Sequence, residues 1–243
     1  MDDLQPRLLY EDEQLVIVDK PAGLPVHPSP RWPDGTLVSW LRRNYEGRCE
    51  RMQLAHRLDR ETSGVVVATR DAASNQAMHL AFAQRRVTKR YLALVVGEPE
   101  WDELLVDGPI GPAPSSAVRM RMAVVEDGAA SVTTLRVRER LPGHALVEAS
   151  PRSGRQHQIR VHLCHVGHPI LGDKIYGPDE ALFLQWYEGR EDEEMWARLG
   201  LRRHALHAES VVLPHPWRNG MVEVSAPIPE DVRSRVTALR GAR

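Results

Sequence analysis

At 243 residues, with 42% hydrophobic and 27% charged side chains, the chain has the balance of an ordinary globular protein, which sets aside intrinsic disorder. No apolar run approaches the length needed to cross a bilayer. Lys and Arg number 32 against 33 Asp and Glu, a net charge of −1 that does not by itself advertise a polyanion as partner, although the cations are locally dense and the acids lie apart in residues 188 to 194.

Along the chain, residues 8 to 19 read as two short strands around an acidic turn. Lys20-Pro21-Ala22-Gly23-Leu24-Pro25-Val26-His27-Pro28 is too rich in Pro and Gly for anything but an ordered loop. Residues 36 to 45 gather Leu37, Val38, Trp40 and Leu41 on one side, predicting a short amphipathic helix, with linker to Arg51. Val65-Val66-Val67-Ala68 is an unbroken apolar row that predicts a buried central strand. Asp71 is placed to cap a helix running to about Arg86, and a strand follows over residues 88 to 96, stopped by Gly97. Strand-like runs at 103–106, 118–125, 131–137 and 145–149 suggest antiparallel hairpins, the last turning at Pro142-Gly143. In such a strand Arg119 and Arg121 share a face, as a phosphate grip or as a solvated surface equally.

A further helix is predicted from residues 153–156 to Gly167, with Ile159, Leu163 and Val166 on its apolar face and Arg160 at the rim of the core. Residues 178 to 203 read as an insertion of two short helices, and residues 211–213 as a strand. The chain closes with a hairpin at Asn219-Gly220 and a helix from Pro229 to near Gly241. The elements together give an α+β class with a mixed, largely antiparallel central sheet flanked by helices. One continuous domain over 1–243 is expected, with no separate basic N-terminal domain. The acidic N-terminus lacks a secretory pattern, and Cys49 and Cys164 form neither a metal pair nor a disulfide framework, so a cytoplasmic location is expected.

The stretch that most needs explaining is His56-Arg57-Leu58-Asp59-Arg60-Glu61-Thr62-Ser63-Gly64, a polar run at the entrance to the apolar strand. A carboxylate there is costly unless paired or hydrogen-bonded. Taken alone, Asp-x-x-Thr-Ser-Gly is ordinary turn chemistry. As a nine-residue string it resembles the signature loop of the RluA-type pseudouridine synthases, which isomerise uridine to pseudouridine in ribosomal and transfer RNA. The resemblance implies a pseudouridine-synthase-like catalytic domain with Asp59 as its catalytic aspartate. It continues through the Lys89-Arg90-Tyr91 element, which supplies an aromatic active-site residue, here Tyr91. It runs on through residues 152 to 173, where the family's arginine at the position of Arg160 pairs with the aspartate; a cation beside a partly buried carboxylate keeps it ionised. In all it spans residues 8 to 227, weakest over the insertion.

The implied reaction breaks the bond from ribose carbon 1′ to the base, turns the base and rejoins it through carbon 5, which calls for neither metal nor redox cofactor. The target base has to leave its stack, and Arg57 is the wedge that fills the gap by resemblance. His56, Lys89, Arg119, Arg121 and Arg155 complete the substrate-binding set around a structured RNA, a ribosomal or transfer RNA stem-loop, with near-neutral charge weighing toward a compact one. A monomer is expected. Three alternatives compete. His162, His165 and His168 recur every three residues as if for a metal together with Asp59 or Asp173, but the last lies beyond the helix end at Gly167 and no zinc-hydrolase pattern accompanies them. An aspartic-protease reading fails because Asp59 is not adjacent to Thr62. A non-catalytic RNA-binding or ribosome-assembly factor remains the alternative from another class.

Overall fold

In chain order the elements are β1 (Arg7–Glu11), β2 (Leu15–Lys20), α1 (Leu37–Asn44), β3 (Gln53–Leu54), β4 (Ser63–Thr69), α2 (Ala72–Ala83), β5 (Thr88–Val96), β6 (Glu103–Asp107) and β7 (Ile110–Pro112). They continue with β8 (Met122–Val124), β9 (Val132–Leu141), β10 (His144–Pro151), α3 (Gln158–His165), α4 (Ala181–Tyr187), α5 (Glu193–Leu199), β11 (Leu206–Pro214), β12 (Met221–Ser225) and α6 (Glu230–Arg240). The computed structural model describes residues 4–30, 32–45 and 52–242. Cys49 and most of the linker expected up to Arg51 lie outside them. The chain divides into two compact units, Met1–Arg90 with His207–Pro229 and Tyr91–Leu206 with Glu230–Arg243.

In the first unit the strands run β1-β2-β4-β11, with β3 added to β4 and β12 to β11. β11 runs parallel to β4, and the other pairings are antiparallel. Every residue of β4 is buried, so side chains on both of its faces are covered, which is why 65–68 reads as a continuous apolar run. Leu15, Ile17, Val65 and Val67 pack against Met78 and Ala81 of α2 and against Val211, Leu213 and Val224. Asp71 caps α2 as expected, accepting the Ser74 amide, and at the start of α1 Thr36 accepts the Ser39 amide. α2 ends at Ala83, before Arg86, since Arg85 turns to φ 58°.

In the second unit β10 pairs antiparallel with β5 on one side and with β9 on the other, and β9 pairs with β6. The hairpin turns at Pro142-Gly143, with Gly143 at φ 66°. Three expectations need correction here. The strand predicted over 118–125 is only the three residues of β8, because residues 113–121 fold into turns closed by the Arg121 amide on the Val118 carbonyl and the Ala113 amide on the Arg121 carbonyl. Arg119 and Arg121 therefore do not share a strand face. α3 begins at Gln158, later than predicted, because the Gln158 side chain gathers the preceding loop around itself and His157 stands at φ 56°. The helix is also buried from Gln158 to Leu163, so Arg160, only 4% exposed, is inside the core and not at its rim. The two predicted helices of the insertion are present as α4 and α5, joined by Leu182, Met195 and Leu199.

Candidate active site

The signature loop leaves the edge of β4 through a gap in that edge. β3 covers Thr69 and Ala68, and β11 covers Gly64 and Ser63. Between them the Ala55 amide donates to the Val67 carbonyl, and the Val67 amide donates to His56 Nε2 at 3.1 Å. The imidazole thus takes the place of a missing strand residue, satisfying an amide that would otherwise be orphaned. Burial, then the nearby Lys89 charge, pushes the His56 pKa down to about 4, so the ring is a neutral acceptor at pH 7. Its face lies against Phe82, with centroids 5.2 Å apart.

On the far side of the loop stands Lys20, wholly buried. Its ammonium donates to the carbonyls of Pro21 at 2.9 Å, Leu24 at 3.1 Å and Arg60 at 2.9 Å. The Arg60 carbonyl also accepts the Gly23 amide at 2.9 Å. The Pro/Gly loop after β2 is therefore built to grip the residue that follows Asp59. The Thr62 amide donates to the Asp59 carbonyl at 3.1 Å and tightens the turn. Gly64, at φ +109°, closes it: a Cβ there would sit 2.2 Å from the Ala208 carbonyl oxygen of β11. Ser63 Oγ donates to Nδ1 of buried His207, whose Nε2 donates to the Ala226 carbonyl. Asp59 is half-buried on this braced loop and Arg57 is exposed. Lys89 is pushed down to about 8 by burial.

The second motif builds a different kind of site. Asp173, wholly buried, receives Arg160 Nε at 2.7 Å and Nη2 at 2.8 Å, a bidentate fork, and the amides of Ile175 and Tyr176 at 3.0 and 3.1 Å. Burial alone would raise its carboxyl, but the Arg160 charge and hydrogen bonds, with His204 and the Tyr176 amide, hold it well below the usual carboxylate range. The Tyr176 ring packs on two guanidiniums, Arg160 at 5.0 Å and Arg121 at 5.6 Å. Its hydroxyl accepts the Met122 amide and donates to His157 Nδ1 at 2.8 Å. Arg121 also pairs with Glu180 at 3.1 Å. Beneath lies a buried polar chain: Gln158 Nε2 donates to Thr133 Oγ1, which donates to His162 Nδ1, whose Nε2 donates to the Gly108 carbonyl. Burial lowers the His162 pKa, consistent with that neutral tautomer.

Of the residues singled out in the sequence, His56, Arg57, Asp59 and Lys89 belong to the first unit, and Lys89 lies close enough for its charge to lower the His56 pKa. Tyr91, Arg119, Arg121, Arg155 and Arg160 belong to the second. Arg121 and Arg160 meet on Tyr176, Arg119 and Arg155 are exposed, and Tyr91 is buried opposite Ala149 of β10. Sequence reasoning missed Lys20, Gln158 and Tyr176, and took Asp173 only as a possible metal ligand. The legible signal for Asp173 was a carboxylate directly after Gly172, with apolar Ile170, Leu171 and Ile175 around it. The three spaced histidines do not converge: His162 is spent on Thr133 and Gly108, His168 lies against Val96 and Trp101, and no metal-holding cluster of His, Cys, Asp and Glu occurs among the described residues.

The pattern of the family described as RNA pseudouridylate synthase matches residues 14–165. This chain belongs to that family. The ribosomal large subunit pseudouridine synthase D of Xanthomonas campestris is 40% identical over 243 residues, spanning 98% of this chain and 70% of that protein. The protein of the same name from Xylella fastidiosa is 39% identical over 242 residues, again across 98% of this chain and 70% of its own length. Among solved structures, human RNA Pseudouridylate Synthase Domain Containing 4 superposes with a TM-score of 0.75 at 29% identity, covering 96% of this chain and 93% of that one. The RluA-type resemblance is supported, and the chain is an isomerase, a pseudouridine synthase acting on RNA. The mixed α+β fold agrees with these neighbours. No helix among the described residues is long and apolar enough to cross a membrane.

Proposed function

We propose that this synthase isomerises a uridine of large-subunit ribosomal RNA, with Asp59 as the reacting carboxylate. The ribosomal target is supported by relatives of that name matching nearly the whole chain. The role of Asp59 is supported by its loop: a half-buried carboxylate clamped from behind by Lys20 and Gly23, ahead of a glycine locked on Ala208, is held in position without being buried out of reach. The carboxylate attacks ribose carbon 1′, or removes the carbon 2′ proton, as the bond to base N1 breaks. The freed base turns and carbon 5 bonds to carbon 1′ as the bond from carbon 1′ to the carboxylate breaks or, in the other route, as carbon 2′ takes its proton back; the carbon 5 proton leaves and N1 gains one, so that nothing is oxidised or hydrolysed. Arg160 serves to keep the catalytic carboxylate ionised, and Tyr91 stacks on the base and takes the carbon 5 proton.

The uridine is extruded for this chemistry, and exposed Arg57 fills its place in the stack. Exposed Arg119 and Arg155 meet phosphates, so that affinity falls as salt rises. Arg121, tied to Glu180 and Tyr176, orders that surface. The protein acts as a cytoplasmic monomer. Mapping pseudouridine by carbodiimide primer-extension stops in RNA from cells with and without the gene tests the reading. One or a few sites in large-subunit RNA should vanish, and return with wild type but not with Asp59→Asn. Loss confined to transfer RNA refutes the ribosomal target, and restoration by Asp59→Asn refutes the role of the aspartate.

A further inference from the structure

Trp32 is 37% exposed, which for a single tryptophan needs no explanation. Its setting does. The residue is fixed by a two-bond bridge in which Ser29 and Trp32 each donate their amide to the other's carbonyl at 2.9 Å. The loop bearing it is pinched at its root, where the Leu37 amide donates to the Pro25 carbonyl at 2.8 Å and the Val38 amide to the Val26 carbonyl at 3.1 Å. That root continues from Leu24, whose carbonyl is held by Lys20, the same ammonium that holds the Arg60 carbonyl beside Asp59. One buried cation thus ties the tryptophan loop and the signature loop together. From the signature loop the Arg60 guanidinium lies over the Trp32 ring, 5.6 Å from its centroid. The surroundings are cationic: the charges of Arg57 and Arg42 reach His27, five residues before Trp32, and add to burial in lowering its pKa.

A rigidly presented aromatic ring among arginines, tied to the loop that holds a reacting carboxylate, is the combination that binds unpaired nucleotides. We propose that Trp32 is a stacking platform for an RNA base flanking the converted uridine, with Arg60 orienting the ring. The inference rests on Asp59 being the reacting carboxylate. Every base has a π face, so the platform aids binding without choosing sequence, and its loss weakens binding of substrate more than the chemical step.

The test compares Trp32→Ala, Trp32→Leu and Trp32→Phe in pseudouridine formation on a large-subunit ribosomal RNA transcript, and in equilibrium binding to a uridine-rich single strand read by anisotropy. The Ala and Leu variants should show KM and Kd raised roughly tenfold, with kcat within about twofold of wild type, and Phe should stay near wild type. Leu performing as well as Phe would mean that the ring only fills space, and an unchanged KM and Kd in Ala would mean that it touches no RNA; either overturns the proposal. A wild-type protein that converts no uridine in the transcript sinks the ribosomal reading instead. The binding series then still decides Trp32, since it needs no turnover.

Discussion

The two motif regions hold their carboxylates in opposite ways. Asp173 is wholly buried, engaged by four donors and stripped of freedom, with Arg160 forked onto it. Asp59 is half-buried, and its loop is braced through backbone atoms, the Arg60 carbonyl held by Lys20 and the Val67 amide by His56. Both motifs end in a glycine with positive φ pressed against a carbonyl: Gly64 would bring a Cβ to 2.2 Å from Ala208 O, and Gly172 to 2.1 Å from Arg203 O. The same device locks both, but only one carboxylate is left accessible to a substrate. A buried, fully paired acid is a brace, whereas a reacting acid has to be fixed through its backbone.

Substitutions can break this contrast. The largest divergence is between the two acids. Asp59→Asn should cut turnover by roughly a thousandfold or more while costing far less stability than Asp173→Ala. Asp173→Ala should destabilise by about 3–5 kcal/mol, because it leaves the Arg160 charge buried without that partner; chemical denaturation of both variants and single-turnover assays of the first check the pair. If Asp59→Asn unfolds as readily as Asp173→Ala, both acids are braces.

Gly64→Ala should cost about 3 kcal/mol, since the backbone of β11 cannot yield as a flexible side chain would. Denaturant midpoints close to wild type would show the loop to be less tightly locked than its geometry implies.

His56→Phe should cost about 1–3 kcal/mol by orphaning the Val67 amide. It should also change the pH profile. A histidine whose pKa drops from 6.5 to about 4 on folding adds stability that is complete above 6.5 and is lost as pH falls toward 4. Thermal melts should therefore show wild type losing stability over that interval and the Phe variant losing less. Asp173, also lowered on folding, gives its loss only further down, below its ordinary value of 3.8.

Much of this architecture was legible. The apolar row at 65–68, the Asp71 cap, the strand over 88–96 and the hairpin at Asn219-Gly220 follow from periodicity and turn chemistry, which act between near neighbours in the chain. The turns at 113–121 and the late start of α3 were not legible, because they depend on Glu180 reaching Ser116 and the Ala117 amide from 64 and 63 residues away, and on Gln158 reaching back to Val132. Arg160 looked like a rim residue because a charge on a helix usually is one. The carboxylate 13 positions on, which Arg160 grips with two hydrogen bonds, offsets the cost of its burial.

By itself the sequence determined most of the strands and helices, the Asp71 cap and the two hairpin turns, and through two spaced motifs the family and its chemistry. The tertiary structure alone decided that Lys20 clamps the signature loop from 40 residues away, that His56 stands in for a strand residue, and that Arg160 forks onto Asp173. Local preferences are written in adjacent residues. The partner of a buried polar group is chosen by which distant donor or acceptor the fold delivers within hydrogen-bonding reach.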